Sequence, residues 1–296
     1  MKKMIRNIAS ALLFAAAIFT CAMPATAGQK TLRFAVTDIE GLEMLQREFG
    51  AFKDLLSKKM GVDIELYPVP NRTAAVEAMR SKNIDFVLTG PSEYVVFRTL
   101  SDAVPVVGLS RPDYFCSIIV MADSGINNIK DLKGKKMAIG PVGSTSKHLA
   151  PIQIVADNGL NPLKDLQILH TSIDLGWQAL KQRDVQAWGM TTDKFNKLRG
   201  KEKDFEPGAF KVIARGPDLP NDVLLAGKHV DKNLVKKMKT AFSKSSAEFV
   251  AAILVGSDNK KYEGMKFIPE IKDADYNYVR SMYRTAGYTK FSQFPE

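Results

Sequence analysis

Residues 84–93 read IDFVLTGPSE, and the order of residue types in that stretch decides the fold class. Ile84 to Thr89 reads as a buried strand, and Gly90-Pro91-Ser92 is a turn that opens a helix at Glu93. The same alternation continues upstream. Leu32, Phe34 and Val36 alternate within Thr31 to Asp38 as a half-buried strand does, and Leu42, Leu45, Phe49, Phe52 and Leu56 then recur at helical spacing up to Gly61. Val62, Ile64 and Leu66 alternate again, and Thr73 to Lys82 predicts a second helix.

Downstream of Tyr114 a second set begins. Strands are expected at Ser117–Met121, Lys136–Ile139, around Ile168 and at Val185–Gly189; helices are expected from Ser144 to a stop at Gly159 and over 176–181. Val212 to Leu225 returns to strand and loop, and two amphipathic helices follow Asp231. Strand alternating with helix predicts an α/β fold of two lobes joined by two crossovers, each lobe a mostly parallel sheet flanked by helices. Residues 28–114 and 216–296 form the first lobe and 115–215 the second, with the ligand cleft between them.

The N-terminus sets the compartment. Lys2, Lys3 and Arg6 precede an apolar run from Ile8 to Ala22 that ends in Ala25-Thr26-Ala27, the pattern of a secretory signal peptide over residues 1–27. The run is shorter than the about 20 residues of a membrane span. Phe19-Thr20 are poor substitutes for the small residues a lipoprotein signal places before its cysteine, so lipid attachment at Cys21 is not expected. The formal net charge is +10, and the leader carries three of those charges away. A basic surface favours anionic ligands, although scattered lysines serve solubility equally well. No basic stretch interleaved with aromatics marks a nucleic-acid partner.

The most informative motif is Gly140-Pro141-Val142-Gly143-Ser144-Thr145-Ser146, which follows a strand and leads into a helix. The first N–H groups of a helix lack internal partners, and the helix dipole adds about half a positive charge there. Ser144, Thr145 and Ser146 add three hydroxyl donors, which suits a tetrahedral or trigonal oxyanion. No Gly-Lys-Ser/Thr ending of the nucleotide-loop type is present. The competing reading is an ordinary cap, in which one serine serves its own helix.

With these residues the chain resembles the PhnD-like family, the solute-binding subunits of phosphonate, phosphite and phosphate ABC transporters. The resemblance runs along nearly all of the mature chain. It is carried by Ser144–Ser146, by Tyr114, by Asn127-Asn128-Ile129-Lys130-Asp131-Leu132 and by the Leu219-Pro220-Asn221-Asp222 turn. It implies a type 2 periplasmic binding fold, closure of the cleft on a small oxyanion and delivery to a membrane permease. Carried over residue by residue, the oxyanion contacts fall on Tyr114, Ser144 and Thr145, and a cleft carboxylate falls on Asp222. A cleft histidine of aminophosphonate receptors falls on Thr171, or on His170 if one residue is gapped. Their acidic residue for the ligand amine falls on Thr191, which cannot balance an ammonium. A first-lobe tyrosine falls on Arg72, whose planar fork suits oxyanions, though a solvated helix-start arginine is the plain alternative.

Cys116 is the one cysteine left after the leader. On a strand it shares a face with Tyr114, two residues away, so if Tyr114 faces the cleft Cys116 does too. A soft thiolate suits a metalloid. Resemblance to arsenite-sensing relatives therefore sustains a second reading, a periplasmic arsenite-binding protein acting through Cys116 on a two-component sensor kinase; a plain wall residue is the third. Catalysis is not expected: the chain has three histidines, no HExxH and no GxSxG. No cofactor is expected, and a monomer is the default for this class.

Overall fold

The computed structural model describes residues 31–39 and 41–293. The expected leader, 1–27 with Cys21, lies outside the described residues. Strand β1 (Leu32–Val36) is buried except at Arg33 and leads to helix α1 (Leu42–Met60). Leu45, Phe49, Phe52, Leu56 and Met60 of α1 form the buried stripe that its spacing predicts, and Gly61 ends it in the left-handed conformation. β2 (Ile64–Leu66), α2 (Arg72–Arg80), β3 (Phe86–Thr89) and α3 (Pro91–Ser101) follow, with Pro91 in the first turn of α3, where its missing N–H costs nothing. β4 (Val104–Leu109) then brings the chain to its first crossover.

The second set comprises β5 (Phe115–Met121), β6 (Lys136–Ile139), α4 (Ala150–Asp157), β7 (Gln167–His170), α5 (Ile173–Lys181), β8 (Ala187–Thr191), α6 (Thr192–Lys201) and β9 (Phe210–Asp218). β10 (Asp222–Ala226), α7 (Lys232–Lys244), α8 (Ser246–Ile253), β11 (Phe267–Ile268) and α9 (Asn277–Thr285) complete the chain. The tail thus holds three helices where two were expected. Ser245 ends α7 at φ −124° and starts α8, and α9 comes after β11.

Two sheets form, ordered β11-β4-β10-β3-β1-β2 and β7-β6-β8-β5-β9. The expectation of mostly parallel sheets needs correction. β1 pairs parallel with β2 and β3, and β6 with β7 and β8, whereas β10 runs antiparallel to β3 and β4, β11 to β4, and β5 to β8 and β9. The antiparallel strands are those the crossovers feed. The chain leaves the first sheet from β4 into β5 and returns from β9 into β10, so outgoing and returning strands lie side by side in both sheets. The two crossovers also touch: the Arg111 N–H donates to Asn221 Oδ1 at 3.1 Å, and the Leu219 N–H to Tyr114 O at 2.8 Å.

Phe34, Phe52, Phe242 and Phe249 lock α1, α7 and α8 onto one face of the first sheet, with ring centroids 5.6–6.1 Å from Phe52. Trp177, Trp188, Phe195 and Phe210 fill one face of the second sheet. On its other face α4 comes so close to β8 that a Cβ at Gly189 would lie 2.5 Å from Pro151. The C-terminal segment fastens to both lobes. The Tyr276 ring lies 3.9 Å from that of Tyr94, and the Tyr283 hydroxyl donates to Ser92 O at 3.1 Å on the first-lobe side. On the second-lobe side the Tyr278 hydroxyl donates to Asp157 Oδ2 at 3.3 Å and the Thr285 hydroxyl to Gln153 Oε1 at 2.7 Å. No helix among the described residues is long and apolar enough to cross a membrane.

Candidate functional site

The Gly140–Ser146 loop leaves the end of β6 and enters a wide turn, Thr145–Leu149, before α4. In that turn the N–H groups of both His148 and Leu149 donate to Ser144 O, at 3.1 and 3.0 Å. Gly143 takes φ +85°, a conformation that a side chain would strain. Two histidines hold the loop from beneath: the Gly143 N–H donates to His148 Nδ1 at 3.0 Å, and His170 Nδ1 donates to Gly140 O at 2.9 Å. Burial, with a smaller push from His170, lowers His148 to about 4, so it is the neutral acceptor that this bond requires.

Ser144, Thr145 and Ser146 are all buried, and Ser144 makes no side-chain cap bond to its own helix. The ordinary-cap reading therefore has no bond behind it. The other two hydroxyls reach across the molecule. Thr145 Oγ1 accepts the Ser92 N–H at 2.9 Å, and the Ser146 side chain lies close enough to the Tyr114 phenol to pull it down against burial. The start of α3 at Gly90-Pro91-Ser92 and the Ser144–Ser146 loop thus meet through the Ser92–Thr145 bond. Burial raises Tyr114 to about 12, which keeps its phenol protonated as a donor at neutral pH.

The opposite wall is charged. Arg72 opens α2 beside the Asn71 cap and pairs with Asp38 and with the buried Glu93, whose carboxyl burial raises even though Arg72 pulls it down. The Arg111 guanidinium lies 3.6 Å from the centre of the Tyr114 ring and 3.5 Å from Asp222 Oδ1. The Tyr262 hydroxyl donates to Asp222 Oδ2 at 2.5 Å. Arg111 Nε and Asp222 Oδ1 are buried and make no hydrogen bond. Such atoms cost about 1–3 kcal/mol each when left unmet, which marks this wall as a place where something polar belongs.

Arg72 is thus linked through Glu93 and Ser92 to Thr145, which Ser144 and Ser146 flank in the chain, and Tyr114 is linked through Arg111 to Asp222. The remaining candidates sit elsewhere. His170 ends β7 and supports the loop backbone, while the Thr171 N–H donates to Ile139 O. Thr191 is buried at the end of β8, opposite Cys116 in the ladder. Cys116 has no exposed surface, belongs to the apolar core with Ile118, Val120 and Ile154, and burial pushes its thiol well up. Tyr114 precedes β5, where the register with β9 shifts between Phe115 and Ser117, and both Tyr114 and Cys116 belong to the same buried core. A fully buried thiol with that protonation offers arsenite no thiolate. Among the described residues no group of three or more His, Cys, Asp or Glu side chains is placed to hold a metal ion.

Sequence reading missed Asp38, Ser92, Glu93, Arg111, His148 and Tyr262. Ser92 was reachable, since Gly-Pro-Ser opening a helix invites the same logic as the later loop. The others gather from separate segments and leave no local signal.

A family model described as ABC transporter, phosphonate, periplasmic substrate-binding protein matches residues 34–266. The phosphonates-binding periplasmic protein of Escherichia coli is 23% identical over 249 residues, 81% of this chain and 73% of that protein. The phosphate-import protein PhnD of Mycolicibacterium smegmatis is 23% identical over 280 residues, 88% of this chain and 87% of the relative. Among solved structures, PhnD1 of Prochlorococcus marinus in complex with methylphosphonate superposes with a TM-score of 0.63 at 18% identity, covering 88% of this chain and 99% of that one.

Proposed function

The chain belongs to the phosphonate family of periplasmic substrate-binding proteins of ABC transporters, and from that premise we propose that it captures a phosphonate-type oxyanion in its cleft and delivers it to a membrane permease. Members of this family bind and carry; they are not enzymes. The observation that carries the reading is the buried row Ser144-Thr145-Ser146, in which Ser144 makes no side-chain cap bond and Thr145 meets the start of α3 through the Ser92 N–H.

Ser144, Thr145, Ser146 and Tyr114 donate to the oxyanion. Asp222 Oδ1, a buried acceptor without a donor, suits the hydroxyl of a singly protonated phosphonate, and Arg111 holds that carboxylate in place. A sulfonate, which has no such hydrogen at neutral pH, would leave the acceptor unmet. Residues 28–114 with 216–296 move as one lobe and 115–215 as the other, about the paired crossovers. Ligand contacts from both sides favour the closed state, so differential affinity alone drives closure.

The protein works in the periplasm, as its family does; residues 1–27 act as a cleaved leader, and the mature chain is a monomer. Of the two recipients that the sequence leaves open, a permease and a sensor kinase, the family favours the permease. Isothermal titration of the mature protein against methylphosphonate, phosphite, phosphate and arsenite tests the assignment. A phosphorus oxyanion should bind, and Thr145→Leu should weaken it by at least about 100-fold, about 2.7 kcal/mol, with the thermal transition retained. Unchanged affinity in a folded Thr145→Leu protein overturns the role given to the loop.

A further inference from the structure

Helix α9 begins at the crossovers and ends beside the anion loop. Just before its first residue the Tyr276 hydroxyl donates to Asn221 O, in the return crossover, at 3.2 Å. Further along, the Tyr283 hydroxyl donates to Ser92 O, and past the helix end the Tyr288 ring stands edge-on to that of His148, with centroids 6.3 Å apart. Ser92 is where this path meets the cleft, since its carbonyl accepts from Tyr283 while its N–H reaches Thr145 in the second lobe. α9 therefore lies on the same side of the crossovers as the contact that joins the lobes.

Its two attachments differ in kind. Toward the first lobe, Asp273 accepts the Tyr94 hydroxyl at 2.6 Å and holds the buried Arg280 with both carboxylate oxygens, at 2.9 and 2.8 Å. The Tyr276 ring packs on that of Tyr94 beside this charge-assisted pair, which makes a firm anchor. Toward the second lobe, α4 is held by one chain of side chains. The Tyr278 hydroxyl donates to Asp157 Oδ2 at 3.3 Å, Gln153 Nε2 donates to Asp157 Oδ1 at 2.6 Å, and the Thr285 hydroxyl donates to Gln153 Oε1 at 2.7 Å. The roles interlock: an ionised carboxylate only accepts, so the Gln153 amide turns its NH2 to Asp157 and leaves its oxygen for Thr285. Val279 and Met282, fully buried, place the apolar side of α9 in one core with Val95 and Phe97 of α3 and Ile152 and Val155 of α4.

Tyr278, Thr285, Gln153 and Asp157 take no part in the oxyanion site. A bond across the seam between two lobes nonetheless favours the lobe arrangement it spans, by about two- to tenfold for a single hydrogen bond. We propose that α9 is a strap anchored in the first lobe, with Gln153 and Asp157 as its catch on the second, and that it biases the lobes towards the arrangement in which Ser92 meets Thr145. Ligand contacts still drive closure through differential affinity; the strap sets the population from which they start. The inference rests on the two-lobe hinge reading of the chain and not on which oxyanion binds.

The test is small-angle X-ray scattering, with and without saturating methylphosphonate, on the mature wild-type protein and on a double variant, Tyr278→Phe with Thr285→Val. Without ligand the double variant should have the larger radius of gyration, and saturating ligand should bring the two proteins to the same value. Gln153→Leu, which cuts the same chain from the second lobe, should reproduce the expansion. In calorimetry the double variant should bind methylphosphonate several-fold more weakly, because less of the free protein is closed. Folded variants whose ligand-free radius equals that of the wild type overturn the strap, and so does an expansion that bound ligand fails to reverse, which marks general loosening. If methylphosphonate binds none of the proteins, the phosphonate reading falls, and the ligand-free radii still decide the strap: expansion upholds it and equality overturns it.

Discussion

The two walls of the cleft are built on opposite principles. One is the 140–149 loop, contiguous in sequence, made of neutral donors and set by backbone geometry with two histidines beneath it. The other is assembled from separate segments, carrying Asp38, Arg72, Glu93, Arg111, Asp222 and Tyr262, and its charges are already paired without a ligand. Neutral dipoles can wait for a ligand at little cost, because their desolvation penalty is small. Buried charges cannot, since each needs its opposite in the empty protein. Loss of a hydroxyl from the neutral wall should therefore fall on affinity, whereas loss of one partner of a buried pair in the charged wall should fall on stability as well.

The sharpest way to break that contrast is Asp222→Asn. It leaves the Arg111 guanidinium, 14% exposed, without its counter-charge, and the expected cost is about 3–5 kcal/mol in urea unfolding. A loss below about 1 kcal/mol would mean that Arg111 relaxes to water and that the charged wall is not structural.

Next in size is the pH dependence of the neutral wall. His148 sits near 4 when folded and near the ordinary 6.5 when unfolded, so the unfolded chain binds the extra proton between those values. Stability should fall as pH drops from 6.5 towards 4, by about 2–3 kcal/mol. His148→Asn, which keeps an acceptor for Gly143 but does not titrate, should flatten that part of the profile. An unchanged slope would remove His148 as the loop's support.

The smallest effect concerns a residue outside both walls. Cys116→Ser places a hydroxyl in an apolar core and should cost about 1–2 kcal/mol in unfolding while leaving phosphonate affinity within about twofold of wild type. A large loss of affinity would return the thiol to the cleft and reopen the metalloid reading.

What could be read in advance follows from how far apart the cooperating residues lie in the chain. The stripe of α1 and the strand–turn–helix at 84–93 are local patterns that sit in the elements they predict, whereas the hydroxyl row at 144–146, expected to open a helix at Ser144, enters the wide turn Thr145–Leu149 before α4 begins at Ala150. Strand direction has no such local signature. β10 alternates and buries like its neighbours, yet only the return crossover decides that it runs against β3 and β4. Arg111 and Tyr262 carried no motif, because their meaning lies in meeting Asp222 across long stretches of chain. The setting of Cys116 was hidden for a related reason: the register shift beside it leaves no mark in the residue types.

The strand order of the first sheet also bears on how the chain is made. β10 lies between β3 and β4, so that sheet has a gap at its centre until residues 222–226 arrive. An emerging N-terminal half can pair β1 with β2 and β3 but cannot close its core, because more than a hundred residues separate β4 from the strand it needs. Such high contact order slows folding. For a protein whose workplace lies across a membrane the delay is useful, since a chain that stays open while it is being synthesised can still be threaded through a narrow translocation pore.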